Sequence, residues 1–379
     1  MNRQRIDWVD GIKGIASFCV FLSHFLIAFL PGSYYGQTSP SHIFYGLDHI
    51  SSQSPFSFFT RGHFMVCLFC LISGMVLSIK VIGLQNKNNI STIILKRYFR
   101  LSLPLFFSAV FAWFLWKTNL YYHIETSAIT KSKWLSNYYL GDLPLVKDLF
   151  FTSFISVWFI GNNTFSGVFW MLKLTFLGSY LSILLSQMVW KYQKKSLFFL
   201  ALLCIFFIRL NSMYLLFVLG TIIALFMHYY EPKKAIFTFI GPIIFIIGCF
   251  FGGFPRGVIP TNIYSLFTLP SYIDKSQFFH IAGSFFVVLG IYLSNFLKDF
   301  FSSKPFVFLG QISYAFFLLH FPILFSFTTR FFVFLHKNTD SYQIPLIIVF
   351  ISSSILMIFC AFLFTKIIEN NISKLLKLL

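Results

Sequence analysis

Charge is scarce in this sequence of 379 residues: only 11% of positions are Asp, Glu, Lys or Arg, and just 11 of them are acidic. Soluble domains carry roughly 25% charged residues, so a water-soluble fold is excluded. Cysteine outside apolar runs is also missing. All six cysteines (19, 67, 70, 204, 249 and 360) lie in hydrophobic stretches, which argues against a disulfide framework. Cys67 and Cys70 form a C-x-x-C without a second pair or polar surroundings, so packing is expected there, and no metal. There is no Gly-x-Ser-x-Gly elbow, and no aspartate within an apolar run to orient a serine–histidine pair, which disfavours hydrolase chemistry. Internal repeats, low-complexity tracts and linkers are absent too, so residues 1–379 read as one membrane domain.

What is present is hydrophobic, at 57% of residues with 56 phenylalanines. Apolar windows of about 20 residues, each long enough to cross about 30 Å of hydrocarbon, fall near 12–31, 61–80, 98–116, 165–187, 196–211, 213–229, 235–252, 278–297, 306–328 and 344–367. The expected fold is therefore all-α, a polytopic transmembrane bundle of about ten helices, with 148–160 as a possible eleventh, partly inserted segment. The first run, Gly14 to Leu30, follows a basic start but contains His24 and lacks a small-x-small cleavage site, so it reads as a retained helix and not as a signal peptide. An even number of crossings puts both termini on one side. With the amino terminus inside, eighteen of the 29 Lys and Arg residues fall on inner segments, among them Arg3, Arg5, Lys87, Lys233 and Lys234, so both termini are expected to be cytoplasmic. The net charge of +18 is spread thinly between spans, which fits membrane topology better than nucleic-acid binding.

Three constellations carry chemistry. Lys13 and His24 are eleven residues apart, about 20° beyond three full helical turns, so they share one face about 16 Å apart. That puts a cation at the inner surface and an imidazole about halfway through the bilayer, where an ionisable group faces protein or a watery cavity and function is the default hypothesis. Arg97 and Arg100, three apart at the start of the third span, suit a multiply charged phosphate ligand, although taken alone they are better explained by anchoring to the inner leaflet. Ser313, Tyr314 and His320 place hydroxyls and an imidazole in the ninth span, where they serve helix packing or a substrate.

Together these stretches resemble the acyltransferase family 3 membrane proteins, which O-acylate lipopolysaccharide, capsule and other glycans at bacterial envelopes. Asp10-Gly-Ile-Lys13-Gly through His24 looks like the family's basic-x10-His signature, and Leu71-Ile-Ser-Gly-Met-Val-Leu77 like its LSG-x-x-L. Arg97-x-x-Arg100-Leu-x-x-Pro104 is similar to its RxxR element, and Leu309-Gly-x-x-Ser-Tyr with His320 and Pro322 to its closing pattern. The chain departs at Thr175, where relatives commonly carry a glutamate; threonine cannot act as a carboxylate base or charge partner.

The resemblance implies an O-acetyltransferase of the bacterial cytoplasmic membrane, with acetyl-CoA as acyl donor and a surface polysaccharide or lipid-linked oligosaccharide as acceptor. Arg97, Arg100 and Lys13 would hold the donor phosphates. His24 would act as general base on the acceptor hydroxyl, a covalent acyl-histidine being a variant, and Ser313, Tyr314 and His320 would orient the acceptor or polarise the carbonyl. The rival from another class is a polytopic transporter or flippase of glycan-lipid or anionic cargo, which broken helices or inverted repeats would favour; Gly241-Pro242 hints at one break.

Overall fold

The computed structural model describes residues 6–83, 90–192, 194–232 and 236–378. Arg3, Arg5, Lys87, Lys233 and Lys234 of the charge distribution lie outside the described residues. All regular structure among the described residues is helical. The main helices are α1 (Asp7–Phe29), α2 (Gly62–Gly83), α3 (Ile90–Lys117), α4 (His123–Thr130), α5 (Trp170–Tyr192), α6 (Lys194–Arg209) and α7 (Leu215–Tyr229), then α8 (Ile236–Gly252), α9 (Lys275–Leu293), α10 (Asn295–Phe301), α11 (Lys304–Gln311), α12 (Ser313–Lys337) and α13 (Gln343–Leu375). Seven of these, α1, α2, α3, α5, α9, α12 and α13, are long and apolar enough to cross a membrane. The windows at 196–211, 213–229 and 235–252 fall on the shorter apolar helices α6, α7 and α8. The segment at 148–160 forms only short helical pieces, Val146–Phe151 and Val157–Phe159 around a π-helical turn, laid against α3 through Tyr98, whose hydroxyl donates to the Phe154 carbonyl at 2.7 Å.

Two backbone-to-backbone junctions organise the bundle. Where α1 begins, a Cβ on Gly11 would fall on the carbonyl of Phe301, one on Gly14 would meet the backbone of Phe306 and Gly310, and one on Gly310 would meet the carbonyl of Asp10. Glycine is required on both sides, and the close approach packs α1 against α10 and α11. Next to it, Gly241 and Gly248 of α8 face Gly290 and Gly283 of α9 in the same manner, seven residues apart on each helix. In lipid there is no hydrophobic drive between helices, so this van der Waals contact and its weak hydrogen bonds hold the pair together. Gly241 is therefore a packing contact, and Pro242 sits inside a continuous α8, which removes the expected break there.

The expected span 306–328 is corrected in a way that matters for the site. The chain turns at Ile312 (φ −100°, ψ 2°), so α11 ends beneath α1 and α12 starts afresh at Ser313. Within α12, Pro322 has no N–H to offer the carbonyl of Leu318 four residues earlier. Ser108 of α3 supplies the donor instead, its hydroxyl 3.0 Å from that carbonyl. A proline that costs α12 one internal bond thus ties it to α3, and a π-helical turn, Leu324–Thr328, follows.

A candidate active site with two poles

His24 stands five residues from the end of α1, about 8 Å along the axis, in the helix's far half and not at its middle. Its Nδ1 lies 2.9 Å from Nε2 of His320, whose own Nδ1 is 2.7 Å from the Phe317 carbonyl one turn back on α12. The protons follow from the chemistry of the last acceptor. A carbonyl only accepts, so neutral His320 carries its proton on Nδ1 and has a lone pair on Nε2. His24 must then donate from Nδ1, which leaves its Nε2 as an unprotonated base. His320 is completely buried, whereas His24 keeps partial access, so the orienting ring is sealed and the basic ring is reachable.

Aromatic rings pack around His24. Trp134 stacks parallel to it at a centroid distance of 5.3 Å, and Phe321 meets it edge-on at 6.0 Å. Trp134 belongs to the polar-looking segment between α3 and α5, which folds down onto the bundle: the Ser132 hydroxyl bonds the carbonyl of Ile27 at 2.6 Å, and Tyr138 packs edge-on against Phe321. Sequence reasoning missed Trp134, since nothing local distinguishes it; the only signal was the density of Tyr and Trp in a segment otherwise reading as loop.

The second pole lies at the start of α1. Lys13, Arg97 and Arg100 are near enough to act on one another electrostatically, so the structure brings together all three cations singled out in the sequence. Lys13 also approaches Asp10 at 3.5 Å. Arg97 donates from Nη2 to Ser73 at 2.7 Å, while its Nε is buried without a hydrogen-bond partner. Ser73 is the serine of the LSG-like stretch in α2, so two separate motifs meet in one bond. Ser313 and Tyr314 belong to this pole and are not brought to the imidazoles. Ser313 donates to the Gly310 carbonyl at 2.8 Å, closing the turn between α11 and α12. Tyr314 donates to the Leu101 carbonyl at 2.8 Å, with Arg97, Arg100 and Glu369 as its charged neighbours.

Thr175 lies against Cys70 of α2, the serine hydroxyl of Ser179 bonding its carbonyl. Cys67 and Cys70 are buried free thiols, Cys67 lying 3.9 Å from His63.

The arrangement offers a lone pair at Nε2 of His24 for a proton, with His320 behind it, and groups three cations about three helical turns away. No curated protein sequence and no solved structure matches this chain. The profile of the acyltransferase 3 family, described as an acyltransferase domain, matches residues 6–366, essentially the whole length. With its long apolar helices and that match, the chain belongs to acyltransferase family 3 and is a multi-pass membrane acyltransferase.

Proposed function

We propose that this protein is an O-acetyltransferase of a bacterial cytoplasmic membrane, built from ten membrane helices with both termini in the cytoplasm. It moves an acetyl group from acetyl-CoA to a hydroxyl of a surface polysaccharide or its lipid-linked precursor. The observation that carries the reading is the hydrogen-bonded series from the Phe317 carbonyl through His320 to His24, which leaves a reachable base at Nε2 of His24.

Lys13, Arg97 and Arg100 bind the phosphates of the donor, and Arg97 is already oriented by Ser73 for forked contact. The pantetheine arm is long enough to span the roughly 16 Å between Lys13 and His24. His24 accepts the acceptor's hydroxyl proton at Nε2 as the oxygen attacks the thioester carbonyl carbon. His320 stabilises the imidazolium through the bond at Nδ1, now charge-assisted. When the carbon–sulfur bond breaks, His24 returns the proton to the departing thiolate, giving an O-acetyl ester and free CoA. Tyr314 and Ser313 act as positioning residues for the phosphate-binding pole.

The decisive experiment is thioester consumption by purified protein given acetyl-CoA and a glycan extract. His24→Ala should lose acyl transfer by at least about 100-fold, the range of general-base catalysis, while still inserting into membranes. Full activity in that variant would reject the assignment, and glycan movement without CoA release would point to transport.

A further inference from the structure

A second histidine pair occurs at the end of the bundle opposite the phosphate-binding pole. Nδ1 of His63, at the start of α2, lies 2.8 Å from Nδ1 of His280 on α9, whose Nε2 is 2.9 Å from the Phe254 carbonyl. As with His24 and His320, one ring is sealed, His280 being fully buried, and the other keeps partial access. The mechanism above uses neither.

Beside this pair opens a cavity of about 440 Å³, within the range of small-ligand sites. Its wall includes Arg256, Lys275, Tyr264 and Ser265, and Asp274 is its carboxylate. Arg256 acts electrostatically on His63, His280 and Asp274, so it links the cavity to the histidines. Behind Tyr264 lies Arg61, only 2% exposed, donating to the carbonyl of Ser52 and interacting with Tyr264 and His280. The cavity wall therefore carries two cations, Arg256 and Lys275, against one carboxylate. Asp274 is further occupied as the cap of α9, accepting from the backbone N–H of Gln277 at 3.0 Å and the hydroxyl of Ser276 at 2.9 Å. Nη1 of Arg256, a residue of the cavity wall, is buried with no hydrogen-bond partner, a costly state for a guanidinium donor that an oxyanion relieves.

We infer that this cavity binds an oxyanion of the acceptor, so that the glycan substrate is acidic. The inference rests on the acyl-transfer reading and names its acceptor class. The shared chemistry has two sources, a uronate carboxylate within the glycan or the pyrophosphate of a lipid-linked precursor. Backbone contact joins this region to the catalytic helix: the N–H of Gly62, next to His63, bonds the hydroxyl of Ser23, next to His24, at 3.1 Å.

The test measures binding to the full chain in nanodiscs, with four probes: a glucuronate-containing tetrasaccharide, its carboxyl-reduced neutral form, a disaccharide bearing an anomeric pyrophosphate, and the free disaccharide. At least one anionic probe should bind tenfold or more tightly than its neutral counterpart, and which one does identifies the source. Arg256→Ala and Lys275→Glu should each remove most of that preference, leaving neutral-probe and acetyl-CoA affinities at wild-type values. Lys275 is exposed, so Lys275→Glu decides the matter should Arg256→Ala lose acetyl-CoA binding through misfolding. Equal binding of charged and neutral probes, or wild-type preference in Lys275→Glu, would overturn the inference. Acetyl-CoA affinity in Arg97→Ala, measured alongside, tests the donor reading separately; an unchanged value there would overturn that reading and leave the anion result standing.

Discussion

An imidazole in a low-dielectric site is useful as a base only if its tautomer is set, because the wrong one presents a proton where a lone pair is needed. Here the setting comes from a second imidazole and a main-chain carbonyl, where a carboxylate serves in the serine-hydrolase triad. A neutral orienter stabilises the imidazolium less than a carboxylate, and it avoids placing a fixed negative charge within the bilayer. His320→Phe should leave the Nδ1 proton of His24 without an acceptor and lower turnover by about 100-fold. His320→Gln keeps an acceptor oxygen and should retain clearly more activity at equal membrane yield. Equal activity of both variants with the wild type would show that His320 does not orient His24.

Among the helices, α12 decides where the second imidazole sits, and its placement depends on a missing hydrogen bond. Because Pro322 cannot serve the Leu318 carbonyl, Ser108 does, and α12 is locked to α3 two residues before His320. Ser108→Ala leaves that buried carbonyl unpaired, at a cost of about 1–3 kcal/mol, and should lower the thermal midpoint in detergent. Adding Pro322→Ala restores the N–H and should recover much of the loss. If the double variant is no more stable than Ser108→Ala alone, the exchange of donors is not what holds α12. The same helix shows why Ser313 and Tyr314 lie at the cationic pole: the turn at Ile312 places them at its start, with Tyr314 against Leu101 and Arg97.

For the molecule as a whole, a cationic pole at the start of α1 and a covered imidazole in that helix's far half would, on the proposed function, divide donor and acceptor between the two ends of the bundle. In sealed vesicles, acetyl-CoA supplied only on the side of the amino terminus should support acylation, and the same concentration supplied only on the other side should not. Labelled glycan recovered from both arrangements checks this directly; equal labelling would rule out a one-sided donor path.

The membrane bundle, the shared face of Lys13 and His24 and the grouping of Arg97 with Arg100 were legible in the sequence, because they depend on apolar length and on helical periodicity within one segment. Windows 196–211, 213–229 and 235–252 were also found, as α6, α7 and α8, which among the described residues are shorter than the seven long apolar helices. By itself the chain thus determined what inserts and which neighbours along a helix point together. Only the tertiary structure decided that His24 meets His320 across 296 positions, that Ser73 bonds Arg97, that Trp134 stacks on His24, and that Ser313 and Tyr314 lie at the other pole. Those pairings come from glycine-permitted backbone contact and from hydrogen bonds between distant segments, which leave no periodic trace in a single stretch of sequence.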